Sequence, residues 1–422
     1  MSRNQLLSLV SLCSLSLLAA CGADSSDAGV GYGGGFDSGG GVPSDQGGGI
    51  QAGTLTAGDW DDNLNFDIYQ EYVAKYKAGD ASVPSIPTED RIVIKVVSDA
   101  GDPISNALVK VAGADQTFLT APTASDGRVL FFPTHDGAAQ ETAFTVSVEP
   151  PPGASGVDPI SVPAPDSATD WTIVLPGAQK NLPRNLDLAF VIDATGSMGD
   201  EMGYLQVEVQ GIADRIKAEF DGVSIRYGLV VYRDINDQYV TRHFDFTPDL
   251  ATFKAKLNEQ SAGGGGDFPE AMDAAMKIVP ELSWSTNNAV RMSFLMADAP
   301  PHKENRAAFL GAVDVMRPMG VKLFPIAASG VDSEAEFLMR MGAQATLGRH
   351  LFLTDDSGVG NSHMEPTIPC YQVQKLNNLV YRVIASELSG YRIPADPAEI
   401  VRSVGNPEEG VCKLDDGSFA YL

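Results

Sequence analysis

The stretch LAFVIDATGSMGDEM offers Asp193, Thr195 and Ser197 at two-residue steps. One carboxylate and two hydroxyls in that spacing are three hard oxygen donors from one turn of chain. Such donors suit Mg²⁺ or Ca²⁺, and Mn²⁺ can use the same oxygens. LMADAPPH adds Asp298, again at the end of an apolar run. Thr195 and Ser197 leave a bound cation electropositive, so an oxygen from a partner can replace one of its waters. The run GGGGDFPE, residues 263–270, has four glycines ahead of Asp267 and Glu270. Glycine takes backbone angles closed to other residues, so this loop can fold tightly over a cation.

These residues need elements to hold them. LDLAFVID, SIRYGLVVYRD, TRHFDF, VRMSFLMAD, VKLFPIAAS and HLFLTD read as six strands, the apolar ones buried on both faces. Between them, residues 198–220, DLATFKAKLNEQ, PEAMDAAMKIV, ENRAAFLGAVDVMRPMG and EAEFLMRMGAQ have helical spacing, and VQKLNNLVYRVIASEL reads as the last helix. The expected fold is α/β: a doubly wound, mostly parallel six-stranded sheet with helices on both faces. Ligands bind at the carboxyl ends of strands in such sheets, where Asp193, Asp298 and Asp355 stand.

Ahead of this region the period changes. RIVIKVV, ALVKVA, GRVLFF, FTVSVEP and WTIVLPG are short alternating runs between Gly, Pro and Asp turns, which predicts a small all-β sandwich over residues 90–177. Residues 59–89 read as a short helical linker, with Phe66, Tyr69, Tyr72 and Val73 on one face. Residues 21–58 are rich in Gly, Ser and Asp and read as a disordered tether. Residues 1–20 read as a signal peptide, with an apolar stretch too short to span a bilayer comfortably. It ends in LAAC, which resembles a bacterial lipobox and implies a lipid on Cys21. Gly22 in place of an aspartate points to an outer membrane. In an oxidising compartment, Cys370 and Cys412 are expected to pair and pin the tail, residues 391–422. The formal charge of -26 repels phosphate backbones and argues against a nucleic-acid partner.

DATGSMGDEM, GGGGDFPEAM and LMADAPPH together look like the three signature loops of a von Willebrand factor type A domain, covering residues 185–390. The resemblance implies a metal-ion-dependent adhesion site built on Asp193, Thr195, Ser197 and Asp298. Many family members place a threonine after the glycines, where this chain has Asp267. DFPE is similar to the corresponding loop of integrin β subunits, where the glutamate is a metal ligand, and the loops also resemble a hemicentin-like and α-kinase-associated subgroup. Asp267 is therefore the first expectation for the third loop's contact and Glu270 the second. Glu270 reads equally as an acid favouring a helix start. Asp200 and Glu201 match acids that serve a second cation in integrin β subunits, or are helix-start acids. His302 has no second His or Cys at ligand spacing and reads as a loop histidine. The region of residues 90–177 resembles carboxypeptidase-regulatory-like and immunoglobulin-like modules and is expected to be a spacer or interaction module.

The expected function is that of a cell-envelope lipoprotein capturing a protein or peptide ligand, through an acidic side chain, at a divalent cation and without covalent chemistry. The alternatives are an assembly lipoprotein with a non-functional metal site and a metal-dependent hydrolase. A dehalogenase-type hydrolase needs an acid two residues after Asp193, where Thr195 stands. The glycine-rich loop lacks the lysine of a phosphate loop.

Overall fold

Strand β1 (Thr56–Trp60) opens the computed structural model, which describes residues 53–165, 169–358 and 362–422. Helix α1 (Phe66–Gly79) follows. Seven short strands come next: β2 (Ile92–Val97), β3 (Leu108–Ala112), β4 (Thr117–Pro122), β5 (Arg128–Phe131), β6 (Thr145–Glu149), β7 (Ile160–Pro163) and β8 (Asp170–Val174). The main alternation then runs β9 (Asn185–Asp193), α2 (Gly199–Glu219), β10 (Ser224–Tyr232), β11 (Thr241–Thr247), α3 (Leu250–Asn258), α4 (Met272–Ile278) and β12 (Ala289–Ala297). It continues through α5 (Arg306–Met319), β13 (Val321–Ala327), α6 (Ser333–Ala345), β14 (His350–Thr354), β15 (Tyr371–Lys375) and α7 (Leu376–Ser389). Three short strands end the chain: β16 (Arg402–Val404), β17 (Val411–Lys413) and β18 (Phe419–Tyr421).

The large sheet has the order β11-β10-β9-β12-β13-β14-β1-β15-β16. Its centre is parallel, from β10 through β9, β12 and β13 to β14. In β9 every residue from Leu186 to Asp193 is buried, as both faces are covered. Leu188, Phe190 and Ile192 pack with α2, α3 and α7, whereas Ala189 and Val191 pack with α4, α5 and α6. The fold is therefore mixed α/β with a large, mostly parallel sheet between two helical layers.

The sheet has nine strands where six were expected. The three extra strands, β1, β15 and β16, add antiparallel to the edge beyond β14. β1 lies where the tether and the helical linker were expected to meet; it is instead a fully buried interior strand between β14 and β15. Val373 to Lys375, expected to begin the last helix, are the end of β15. Helix α1 packs on α6, with the Tyr76 ring 4.0 Å from that of Phe337.

Two small sheets, β5-β2-β8 and β4-β3-β6-β7, bury Ile94, Val96, Val109, Val146 and Trp171 in one cluster. They are seated on the α/β layer by the Arg317–Asp136 and His135–Asp314 pairs, at 2.8 and 2.7 Å. A disulfide joins Cys370 to Cys412 and so ties the β17–β18 hairpin to the residue before β15. The expected signal peptide, Cys21 and most of the expected tether lie outside the described residues. Among the described residues no helix is long and apolar enough to cross a membrane.

Candidate metal centre at the carboxyl ends of two strands

β9 and β12 are neighbours and parallel, so their carboxyl ends bring Asp193 and Asp298 to one edge of the sheet. After Asp193 the chain turns through a short 3-10 helix, residues Gly196–Met198, into α2. In that turn Asp193 Oδ1 accepts from the Thr195 backbone N–H at 2.9 Å and from its hydroxyl at 2.7 Å. Thr195 Oγ1 lies 3.2 Å from Ser197 Oγ. Ser197 is close enough to Asp298 to favour its ionised form against the effect of burial. The four residues of the D-x-T-x-S and LMAD motifs therefore form one connected set of oxygens.

The glycine-rich loop closes over this turn. Gly263 donates to the Ala194 carbonyl at 3.0 Å, and Gly196 donates to that of Gly264 at 3.1 Å. Gly264 and Gly265 have φ of 82° and 75°, which favour glycine. A Cβ on Gly265 would stand 2.8 Å from Glu270 Oε1 and 3.3 Å from the Thr195 Cβ. Glu270, held by its own N–H to the Pro300 carbonyl at 3.0 Å, is thus brought beside Thr195. Asp267, three residues earlier, is exposed. The structure brings Glu270, not Asp267, into the buried set.

Asp193, Glu270 and Asp298 are all nearly inaccessible, and each keeps one oxygen without a hydrogen-bond partner: Oδ2, Oε2 and Oδ1. Burial and the neighbouring Asp298 push the Asp193 carboxyl up to about 7. Burial, with Asp193, Asp234 and Asp298 around it, pushes Glu270 up to about 9. Burial also raises Asp298. Crowded carboxylates in low dielectric resist ionisation unless positive charge joins them.

Residues 187–317 match the family model described as the von Willebrand factor A domain. The chain carries a von Willebrand factor A domain. It is 28% identical over 140 residues to the alpha-protein kinase vwkA of Dictyostelium discoideum, covering 33% of this chain and 22% of that one. It is 27% identical over 262 residues to von Willebrand factor A domain-containing protein 7 of Rattus norvegicus, covering 54% of this chain and 27% of that one. The chain thus spans about a quarter of the length of these relatives. A solved von Willebrand factor type A structure from Catenulispora acidiphila aligns at 14% identity and a TM-score of 0.31, over 59% of this chain and 46% of that one.

Domains of this family commonly hold a divalent cation. The residues fit one: three carboxylates, Asp193, Asp298 and Glu270, each with a buried unpartnered oxygen, and two hydroxyls. Among the described residues no three His, Cys, Asp or Glu side chains form a metal cluster of their own. Thr195 and Ser197 add two hydroxyl oxygens to the carboxylates at the strand ends. Glu201, one of the pair considered for a second cation, is buried and accepts a hydrogen bond from Ser329; Asp200 has no described side chain. Asp355 follows directly on β14, two strands beyond β12, and is paired with His363 at 2.7 Å.

Two nearby groups escaped the sequence reading. Asp234, after β10, is buried and lies 2.6 Å from His302 Nε2, so the loop histidine has a fixed partner. Asp237 accepts from the Gly265 N–H at 2.8 Å and holds the glycine loop down. The local signal was present in YRDINDQ, but His302 lies 68 residues from Asp234, and no periodicity links such positions.

Proposed function

We propose that the chain captures a protein or peptide ligand at a divalent cation held by Asp193, Thr195, Ser197 and Asp298, with Glu270 beside them. The observation carrying this reading is the trio of buried carboxylate oxygens left without partners at the strand ends. A buried, unpaired charge is costly, and a cation removes that cost. When bound, the cation supplies an open coordination position for an oxygen from the partner. Asp193 and Asp298 orient the donors, Thr195 and Ser197 supply neutral oxygens, and the glycine loop covers the site. Mg²⁺ and Ca²⁺ both suit the donor set; Glu270 shifts the preference toward Ca²⁺, because an additional carboxylate favours the larger ion. No covalent step is part of the reading. The protein is further proposed to be held at the cell envelope through a lipid on Cys21.

Calorimetry with Mg²⁺, Ca²⁺ and Mn²⁺ tests the site. The wild-type chain should bind at least one of them with a single-site isotherm, and Asp193→Ala should lose binding. Equal heats for the two proteins would overturn the assignment.

A further inference from the structure

Arg291 stands near the amino end of β12, at the opposite end of that strand from Asp298. Its side chain is only 6% exposed. The guanidinium Nε donates to the Ser285 carbonyl, and Nη2 reaches Asn106 Oδ1 at a long 3.4 Å. No described ion pair includes it. The carboxylate that acts on it is Asp187. That carboxylate is already gripped by Arg226 through two hydrogen bonds, at 2.8 and 2.7 Å. Arg291 is thus a buried cation that shares its one carboxylate with a better placed arginine.

The same side chain lines a cleft of about 370 Å³ between the small sheets and the α/β layer. Leu108 and Pro122 form one wall, Trp284 and Met319 the other, and Pro150 and Pro152 also border it. Glu149 also lines the cleft; its side chain is 47% exposed and pairs with Lys110. A buried charge without a dedicated partner calls for one, and a planar guanidinium matches a carboxylate through parallel N–H donors. The formal charge of -26 disfavours multiply charged anions across this surface. The apolar walls favour a hydrocarbon or aromatic body, and the volume is at the small end of the range for ligand sites.

We infer that this cleft binds a small monocarboxylate with an apolar or aromatic body, its carboxylate on Arg291 and its body against Trp284 and Met319. The site is separate from the metal centre, about 23 Å away along β12, and does not depend on the metal reading.

Benzoate titrated into the full chain, with tryptophan fluorescence as the readout, tests this. A saturable change should appear, and Trp284→Phe should remove it, since Trp284 is the tryptophan in the cleft. Benzyl alcohol, equal in shape and uncharged, should bind about tenfold more weakly, and Arg291→Lys should weaken benzoate by a similar factor, because charge-assisted pairing to a planar fork is lost. Glu149→Gln removes a half-exposed negative charge and should tighten benzoate about threefold. Should Arg291→Lys fail to fold, Glu149→Gln carries the test, since its side chain is bound only at the surface. The absence of saturable benzoate binding, equal binding of benzyl alcohol, or an unchanged affinity in Glu149→Gln would overturn the inference.

Discussion

Asp193 and Glu270 take up protons more readily in the folded chain than in the unfolded one. Their carboxyls sit at about 7 and about 9, against roughly 4 for exposed side chains. Between those values and about pH 4 the native state binds more protons than the unfolded state, so stability falls as pH rises. The metal-free chain, kept in chelator, should therefore melt at a progressively lower temperature from pH 5 to pH 9. Asp193→Asn should flatten that slope and raise the melting temperature at pH 8, by about 2–4 °C for each kcal/mol relieved. A melting temperature that rises with pH in chelator would refute the crowding of these carboxylates. At this scale the sequence was most informative where donors are neighbours: Asp193, Thr195 and Ser197 need only a single turn to meet. Asp267 and Glu270 could not be ranked the same way. Which of them points inward is set by the bond from the Glu270 N–H to Pro300, thirty residues away.

β1 has five residues, TAGDW, and two of them argue against a buried strand. Gly58 has no side chain to pack, and Asp59 is charged. Both become intelligible in the sheet. A Cβ at Gly58 would come within 2.6 Å of the Phe352 ring and 3.2 Å of Tyr371. Asp59 is met by Arg382 and, at 3.5 Å each, by Arg349 and Arg392. Gly58→Ala should therefore destabilise the chain by about 1–3 kcal/mol through overpacking, measurable by urea unfolding; a change near zero would show that Phe352 moves aside freely. Strands such as β9 and β12 were legible because burial on both faces leaves continuous apolar runs. β1 was not, because its suitability belongs to side chains some three hundred residues later. β15 was hidden for a related reason: YQVQK runs straight into α7, and its Gln374, fully buried, is bonded by Arg382 at 2.9 Å.

The two ends of the described chain are fastened at one place. The Asn65 side chain donates to the Tyr421 carbonyl at 2.8 Å and accepts from the Tyr421 N–H at 2.7 Å. The Cys370–Cys412 bond closes the same region over a separation of 42 residues. Reducing it should cost about 2–4 kcal/mol, seen as a lower urea midpoint for the Cys370→Ala/Cys412→Ala chain. An unchanged midpoint would mean that the hairpin holds without it. The order of strands also decides how the molecule carries a pull. Thr56, where the chain enters the sheet, pairs with Thr354 at the carboxyl end of β14, so the entry point and Asp193 lie on the same edge. Four strand spacings separate β1 from β9, about 19 Å. Were a partner captured there as proposed, tension between it and the chain ahead of Thr56 would run across the strands rather than along them. In that direction the rungs are loaded one after another, starting with Thr56 against Thr354 and Lys375. The sheet would open like a zip, at a lower force than the same hydrogen bonds would bear in shear.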